Sequence, residues 1–308
     1  MKRSLLTWVQ ATRPQFFTVM ILPIVLGTML AWREYQMFSA VLLGLSLLAG
    51  VLLHAATNVL NDYFDHLNQA DEFNIDPLTP FAGGSRMIQN QILTPKQTYY
   101  FGLILLSIAM LIGLILAWLT DWGLLWIGLV GVLSAYFYSA PPFAFHSRGI
   151  GELLVGLNFG ILTVLGAYYV QTQSFDTLPI IAAIPLACLV TAILYINEFP
   201  DYEADKKAGK NTLVVRLGFP AAQSVYVALI ALSFIIVGMG AFTSYFPLAT
   251  VIVFISLIEA KNAIQVLYQA ADKPKQLIPA IKNTIELHFM MSVVLIFSFY
   301  LPEGSCFA

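Results

Sequence analysis

The stretch "HAATNVLNDYFDHLNQADEFNID", residues 54–76, decides how the rest of the chain is read. It emerges from a run of small apolar residues and gathers five carboxylates: Asp62, Asp65, Asp71, Glu72 and Asp76. No Lys or Arg follows until Arg86. Asn58, Asn61, Asp62 and Asp65 recur at i, i+3, i+4 and i+7, the spacing that lines one side of a helix. Unpaired negative charge therefore continues the face of an apolar segment.

That apolar segment is one of many. Of 308 residues, 59% are hydrophobic and 10% charged, whereas a soluble domain carries about 25% charged residues. The expected class is an all-α integral membrane protein. Segments of about 20 apolar residues fall near 15–32, 38–60, 98–119, 122–140, 149–171, 178–197, 222–242, 246–264 and 285–302, giving nine transmembrane helices in one bundle and one domain over 1–308. With the N-terminus cytoplasmic, fourteen of the fifteen basic residues, from Lys2, Arg3 and Arg13 to Lys282, fall inside and Arg33 alone outside, as the positive-inside bias requires. "MKRSLLTWVQATRPQ" then reads as the basic flank of a spanning segment rather than a cleaved leader. Cys188 and Cys306 are too far apart to suggest a disulfide framework or a metal knuckle. A net charge of −2 without a basic patch gives no support to nucleic-acid binding, and oligomeric state is not legible.

A second acidic stretch, "NEFPDYEADKKAGKNTLVVRLG" (197–218), echoes the first. Asn197-x-x-x-Asp201-Tyr202 repeats Asn58-x-x-x-Asp62-Tyr63, and Asp205 extends the stripe. Four spans separate the two, so both emerge on the same, cytoplasmic side. An acidic cluster at a segment end is ordinarily a solvated surface. Here the acids continue a spanning helix, where ionisable groups normally face a bundle interior or a wet cavity. Carboxylate and amide oxygens without thiols are hard ligands, suited to Mg²⁺. Mg²⁺ is commonly held by one or two carboxylates together with substrate phosphates, so the clusters suit a phosphorylated substrate. Lys206, Lys207 and Lys210 lie beside the second cluster, as phosphate partners or as topological anchors.

At these residues the chain resembles the UbiA superfamily of membrane-embedded aromatic prenyltransferases. "NDYFDHLNQAD" and "NEFPDYEADKKAGKNTLVVRLG" look like its two aspartate-rich motifs, and "RPQFFTVMILPIVLGT" and "GGSRMIQNQILTP" fit as well. The spacing of Asp62, Asp65 and Asp71 is most similar to the branch acting on 1,4-dihydroxy-2-naphthoate in menaquinone synthesis. Gln69 and Glu198 depart from that branch, standing where it often has Gly and Asn.

The resemblance implies a cytoplasm-facing active-site cavity in a bacterial inner membrane. It implies transfer of a prenyl chain from a polyprenyl diphosphate to an aromatic acceptor, with Mg²⁺ as cofactor. Asn58, Asp62 and Asp65 are then expected on one metal side, and Asn197, Asp201 and Asp205 on the other. Arg13, Lys206 and Lys210 would meet diphosphate oxygens. Asn61, Asp71, Arg148 and Glu152 are expected on the substrate side, Glu152 alternatively pairing with Arg148 one turn away. Within "SAYFYSAPPFAF" (134–145), Tyr138 is the expected aromatic face for a developing cation, the competing explanation being an interfacial belt. His54, His66, His146 and His288 lack partners at ligand spacing and are poor site candidates, and Gly83-Gly84 reads as a simple turn. Two alternatives stay open: a relative acting on 4-hydroxybenzoate or a tetrapyrrole side chain, and a polytopic transporter, whose site would lie nearer mid-membrane.

Overall fold

The computed structural model describes residues 4–301; Lys2, Arg3 and Cys306 lie outside the described residues. The described residues are helical with connecting loops and contain no strand. A short helix, α1 (Leu5–Ala11), precedes α2 (Thr18–Tyr35) and α3 (Ala40–Leu67). A single turn, α4 (Ala70–Phe73), opens the loop to α5 (Pro95–Leu119) and α6 (Leu124–Phe137). Next, α7 (Gly151–Val155) runs through a π-helical stretch, Gly156–Leu162, into α8 (Thr163–Thr172). Then come α9 (Thr177–Ala208), the short α10 (Leu213–Leu217), α11 (Phe219–Phe242), α12 (Leu257–Ala270) and α13 (Ile278–Tyr300).

Among the described residues, eight of these units are long and apolar enough to cross a bilayer. The expected ninth, α6, has 14 residues, about 21 Å of helix. It nonetheless links the two ends of the bundle. Before its start, Asp121 accepts a hydrogen bond from Tyr169 near the end of α8. Beyond its end, Ser139 lies 3.1 Å from the Asn61 amide on α3.

Two helices outlast their apolar windows. The 28 residues of α3 and the 32 of α9 reach about 42 and 48 Å at 1.5 Å per residue, beyond a hydrocarbon core of about 30 Å. The polar turns stay helical, so both acidic stripes project from the ends of spans rather than from loops. Helix α9 forms the centre of the bundle, burying Leu186, Leu189, Tyr195 and Ile196, and stops at Gly209, whose φ is 73°.

Neighbouring helices approach closely at small residues, the usual means of packing helices in lipid. A Cβ on Gly27 of α2 would stand 2.2 Å from the Val164 carbonyl, and one on Gly160 would stand 2.4 Å from Ala187 Cα on α9. The outer surface is apolar in the way a bilayer demands: Phe242 is 91% and Trp118 71% exposed, large rings that water would not tolerate in such number.

Candidate active site

Both acidic helix ends open on one cavity of about 820 Å³. Asn58, Asn61 and Asp65 line it from α3, and Asn197, Asp201 and Asp205 from α9. Arg13, Asp71, Tyr138 and Lys210 complete this polar end. The other end is apolar, walled by Met110, Leu114, Leu125, Trp126 and Leu129.

Asp65 is the most heavily bonded of the acids. One oxygen lies 2.9 Å from His146 Nε2 and 3.2 Å from the Asn68 amide. The other lies 3.1 Å from Lys210 Nζ and 3.1 Å from the Asn61 amide. Lys210 Nζ is also 3.6 Å from Asp205, so one ammonium bridges the two motifs. Burial alone would lower the Lys210 pKa, but the Asp205 and Asp65 carboxylates outweigh it and hold it well above its ordinary value. The turn at Gly209 makes this contact possible by folding the chain back, with Lys210 N donating to Asp205 O at 2.9 Å.

A second bridge is made of backbone. Gly83 N donates to Asp201 Oδ2 at 3.0 Å, and Ser85 N to Asp62 Oδ1 at 3.2 Å. Nitrogens two residues apart are at most ~7 Å apart, so Asp62 and Asp201 converge on one turn. Asn74 adds a 2.7 Å hydrogen bond to Asp201. Gly84, at φ +77°, crosses so close that a Cβ would stand 3.0 and 3.1 Å from the Asp71 carboxylate oxygens and 3.2 Å from Asp62 Oδ1. The pair expected as a simple turn therefore covers the acids. Gly84→Ala is expected to lower turnover about tenfold, since a side chain at positive φ costs about 1–2 kcal/mol and about 1.4 kcal/mol is a factor of ten. Steady-state rates, alongside the melting temperature in detergent, check this.

Asp62 pairs with Arg13 and lies just behind the cavity wall, whereas Arg13 faces the cavity with its Nε unpartnered. Asn58 donates to the Thr12 carbonyl at 3.0 Å. Asp71 is buried, and that burial, together with Asp65 and Asp62, pushes its carboxyl up to about 8. Tyr138 lies 5.5 Å from the His146 ring, and its carbonyl is 2.9 Å from His146 Nδ1.

Three of the expected side chains stand elsewhere. Lys206 is exposed, its ammonium 5.6 Å over the Tyr202 ring. Arg148 is exposed and donates to the Pro142 carbonyl at 2.7 Å. Glu152 is buried behind the wall and accepts from Leu213 N at 2.5 Å, capping α10 rather than pairing with Arg148. Asp76 forms an exposed pair with Lys275 at 2.6 Å, a contact of little energetic weight. Sequence reasoning passed over His146, Asn74 and the two backbone donors.

Among the described residues, no three His, Cys, Asp or Glu side chains form a self-sufficient metal cage. A cation completed by substrate phosphates needs none. The donors suit Mg²⁺: hard oxygens from both helix ends, with Asn197 Oδ1 buried and lacking any hydrogen-bond partner.

The sequence pattern of the UbiA prenyltransferase family matches residues 20–283. The 1,4-dihydroxy-2-naphthoate octaprenyltransferase of Bacillus subtilis (strain 168) is 31% identical, covering 94% of this chain and 92% of its own. The human UbiA prenyltransferase domain-containing protein 1 is 28% identical over 97% of this chain and 85% of its own. A UbiA homolog from Archaeoglobus fulgidus, solved bound to DMAPP and Mg²⁺, shares the fold with a TM-score of 0.69 at 15% identity, over 94% of this chain and 99% of that one. Paired acidic helix ends, the bundle and the match across 20–283 agree: this chain is a member of the UbiA prenyltransferase family.

Proposed function

We propose that the chain transfers a polyprenyl group from a polyprenyl diphosphate to 1,4-dihydroxy-2-naphthoate, as a single-domain enzyme of menaquinone synthesis in a bacterial inner membrane. The N-terminus and the acidic end of the cavity face the cytoplasm. One observation carries the reading: two oxygen-rich helix ends, tied by Lys210 and by the Gly83–Ser85 turn, close the polar end of a cavity whose other end is apolar. A polyprenyl diphosphate has the same division, a highly charged head on a long apolar tail. The naphthoate is supported by the activity of the Bacillus subtilis relative.

Each residue has a part in this scheme. Asn58, Asp62 and Asp65 from α3, and Asn197, Asp201 and Asp205 from α9, would hold Mg²⁺. Bound Mg²⁺ supplies charge neutralisation to the diphosphate leaving group, worth several kcal/mol. Arg13 and Lys210 donate to diphosphate oxygens. A diphosphate that draws the Arg13 guanidinium away would free the Asp62 carboxylate it now pairs with. His146 and Asn61 fix the orientation of Asp65. Asp71, whose carboxyl is pushed up to about 8 by burial and by Asp65 and Asp62, closes the acidic end beneath Gly84. The apolar walls exclude water from the allylic carbon as the diphosphate bond breaks, and Tyr138 offers a ring face to the developing positive charge. The electron-rich acceptor ring then attacks that carbon, the allylic C–O bond breaks to release diphosphate, and the attacked ring position loses a proton, or its carboxylate as CO2, to restore aromaticity.

The test is turnover of a radiolabelled polyprenyl diphosphate in proteoliposomes with an acceptor panel. Prenylated product is expected from dihydroxynaphthoate and not from 4-hydroxybenzoate. Product from the benzoate alone would overturn the assigned acceptor, and no product from any aromatic acceptor would overturn the function.

A further inference from the structure

Among the described residues, four side chains on the cavity wall keep a buried polar atom unpaired: Arg13, Asn197 and Glu198 at the acidic end, and His54 deeper in. Ser134 Oγ lies 2.8 Å from Asn158 Oδ1, and the Asn158 amide donates to the Leu154 carbonyl at 2.7 Å. His54 also lines the cavity, is 5% exposed, and makes no hydrogen bond through either ring nitrogen; Nδ1 is wholly buried, so Nε2 is the nitrogen that the cavity can reach. Buried polar atoms in folded proteins are nearly always paired, so an unpaired imidazole nitrogen on a cavity wall points to a ligand.

Its surroundings are flat and aromatic. The His54 ring stands 4.6 Å from Phe159 at 69° and 5.7 Å from Phe17 at 58°. Phe159 belongs to the π-helical stretch Gly156–Leu162, a local unwinding that is frequent at functional sites. His54 sits one turn before Asn58 and eleven residues before Asp65, on the same face of α3. It is therefore about 6 Å deeper than Asn58 and about 16 Å deeper than Asp65 along the helix. A diphosphate held at the acidic end places its allylic carbon just below that end. The attacking ring must come within about 3–3.5 Å of the carbon, which brings the acceptor to the level between Asn58 and His54.

Resting on the proposed prenyl transfer to a hydroxynaphthoate, we propose that His54 is the residue that recognises the acceptor: its imidazole hydrogen-bonds a ring hydroxyl, with Phe159 beside the acceptor ring and Phe17 holding the imidazole in place. A hydroxyl both donates and accepts, so it matches whichever ring nitrogen carries the proton. A site built to bond a hydroxyl rejects an analogue lacking it, because its own polar atom is then left unpaired.

The experiment compares wild type, His54→Phe and His54→Gln in proteoliposomes. Binding of 1-hydroxy-2-naphthoate and of 2-naphthoate is also measured on the purified full chain without metal. Wild type is expected to bind the hydroxylated probe about tenfold or more tightly than the other, the discrimination typical of one hydrogen bond. His54→Phe should lose that preference and raise KM for dihydroxynaphthoate by a similar factor, with KM for the prenyl diphosphate unchanged. His54→Gln, which keeps a hydrogen-bonding group, should recover most of both. Equal probe preference in wild type and His54→Phe would overturn the assignment, as would a rise in both KM values together. If His54→Phe does not fold, the His54→Gln comparison decides: an acceptor KM and probe preference no nearer wild type than those of His54→Leu overturn it. Failure of wild type to prenylate any naphthoate refutes the proposed function instead, so the two failures are distinguishable.

Discussion

Asp65→Asn is expected to abolish prenyl transfer, lowering the rate by about 10³-fold or more, while the chain still folds. Neutralising charge at a leaving group is worth several kcal/mol, and each 1.4 kcal/mol or so is a factor of ten in rate. Asp65 earns the largest effect because its carboxylate serves both sides of the cavity, meeting His146, Asn61 and Asn68 on one hand and Lys210 on the other. The amide is isosteric: its one oxygen still accepts from Lys210 and Asn61, while its NH2 faces His146 Nε2 as a donor, so the local packing survives. What disappears is the negative charge that a cation requires. Single-turnover rates on the folded variant, with its melting temperature in detergent, separate lost chemistry from lost structure. A variant that melts like wild type and retains a tenth of its rate would show that Asp65 is only architectural.

Removing divalent metal is expected to have an effect of similar size, and Asp201→Asn should raise the Mg²⁺ concentration needed to restore activity. Asp62, Asp65, Asp71 and Asp205 crowd a region where Arg13 and Lys210 are the facing cations. Burial and the neighbouring acids push the Asp71 carboxyl up to about 8, and Arg86 donates to the Asp71 carbonyl at 2.5 Å. Among the described residues, Asp201 has only neutral donors in direct contact, the Asn74 amide and Gly83 N–H. Losing its charge therefore weakens the hold on a cation without stranding a buried partner ion. EDTA followed by graded Mg²⁺, in wild type and Asp201→Asn, measures the shift. Full activity in EDTA would be incompatible with the scheme.

How far the sequence carried these conclusions depends on range. The two stripes were legible because i, i+4 spacing is local and survives into the structure: Asn58, Asp62 and Asp65 share α3, and Asn197, Asp201 and Asp205 share α9. That they meet at one end of the bundle followed from counting spans, and the cavity places them so. Hydropathy falls while the helix continues at the last turns of α3 and α9, so the acidic residues beyond the apolar segments stay helical. Lys206 was misplaced by proximity in sequence. It follows Asp205 directly, and one residue turns a helix by about 100°, enough to direct it to the surface. Lys210 reaches the acids because Gly209 reverses the chain. His146 was dismissed for want of a nearby ligand partner, yet its partner is Asp65, 81 residues away. The Gly83 and Ser85 contacts are made by backbone N–H groups, which every residue but Pro carries, so no side-chain pattern could announce them.

The most direct test is equilibrium binding of a polyprenyl diphosphate with and without Mg²⁺, to wild type, Asp65→Asn, Asp201→Asn and the double variant. If both helix ends hold one metal-bound diphosphate, wild type binds far more tightly with Mg²⁺. Each single variant then loses most of that gain, and the double variant loses little more, because groups acting on one shared ligand are not additive. Tight binding without Mg²⁺, or losses that simply add in the double variant, would contradict the account.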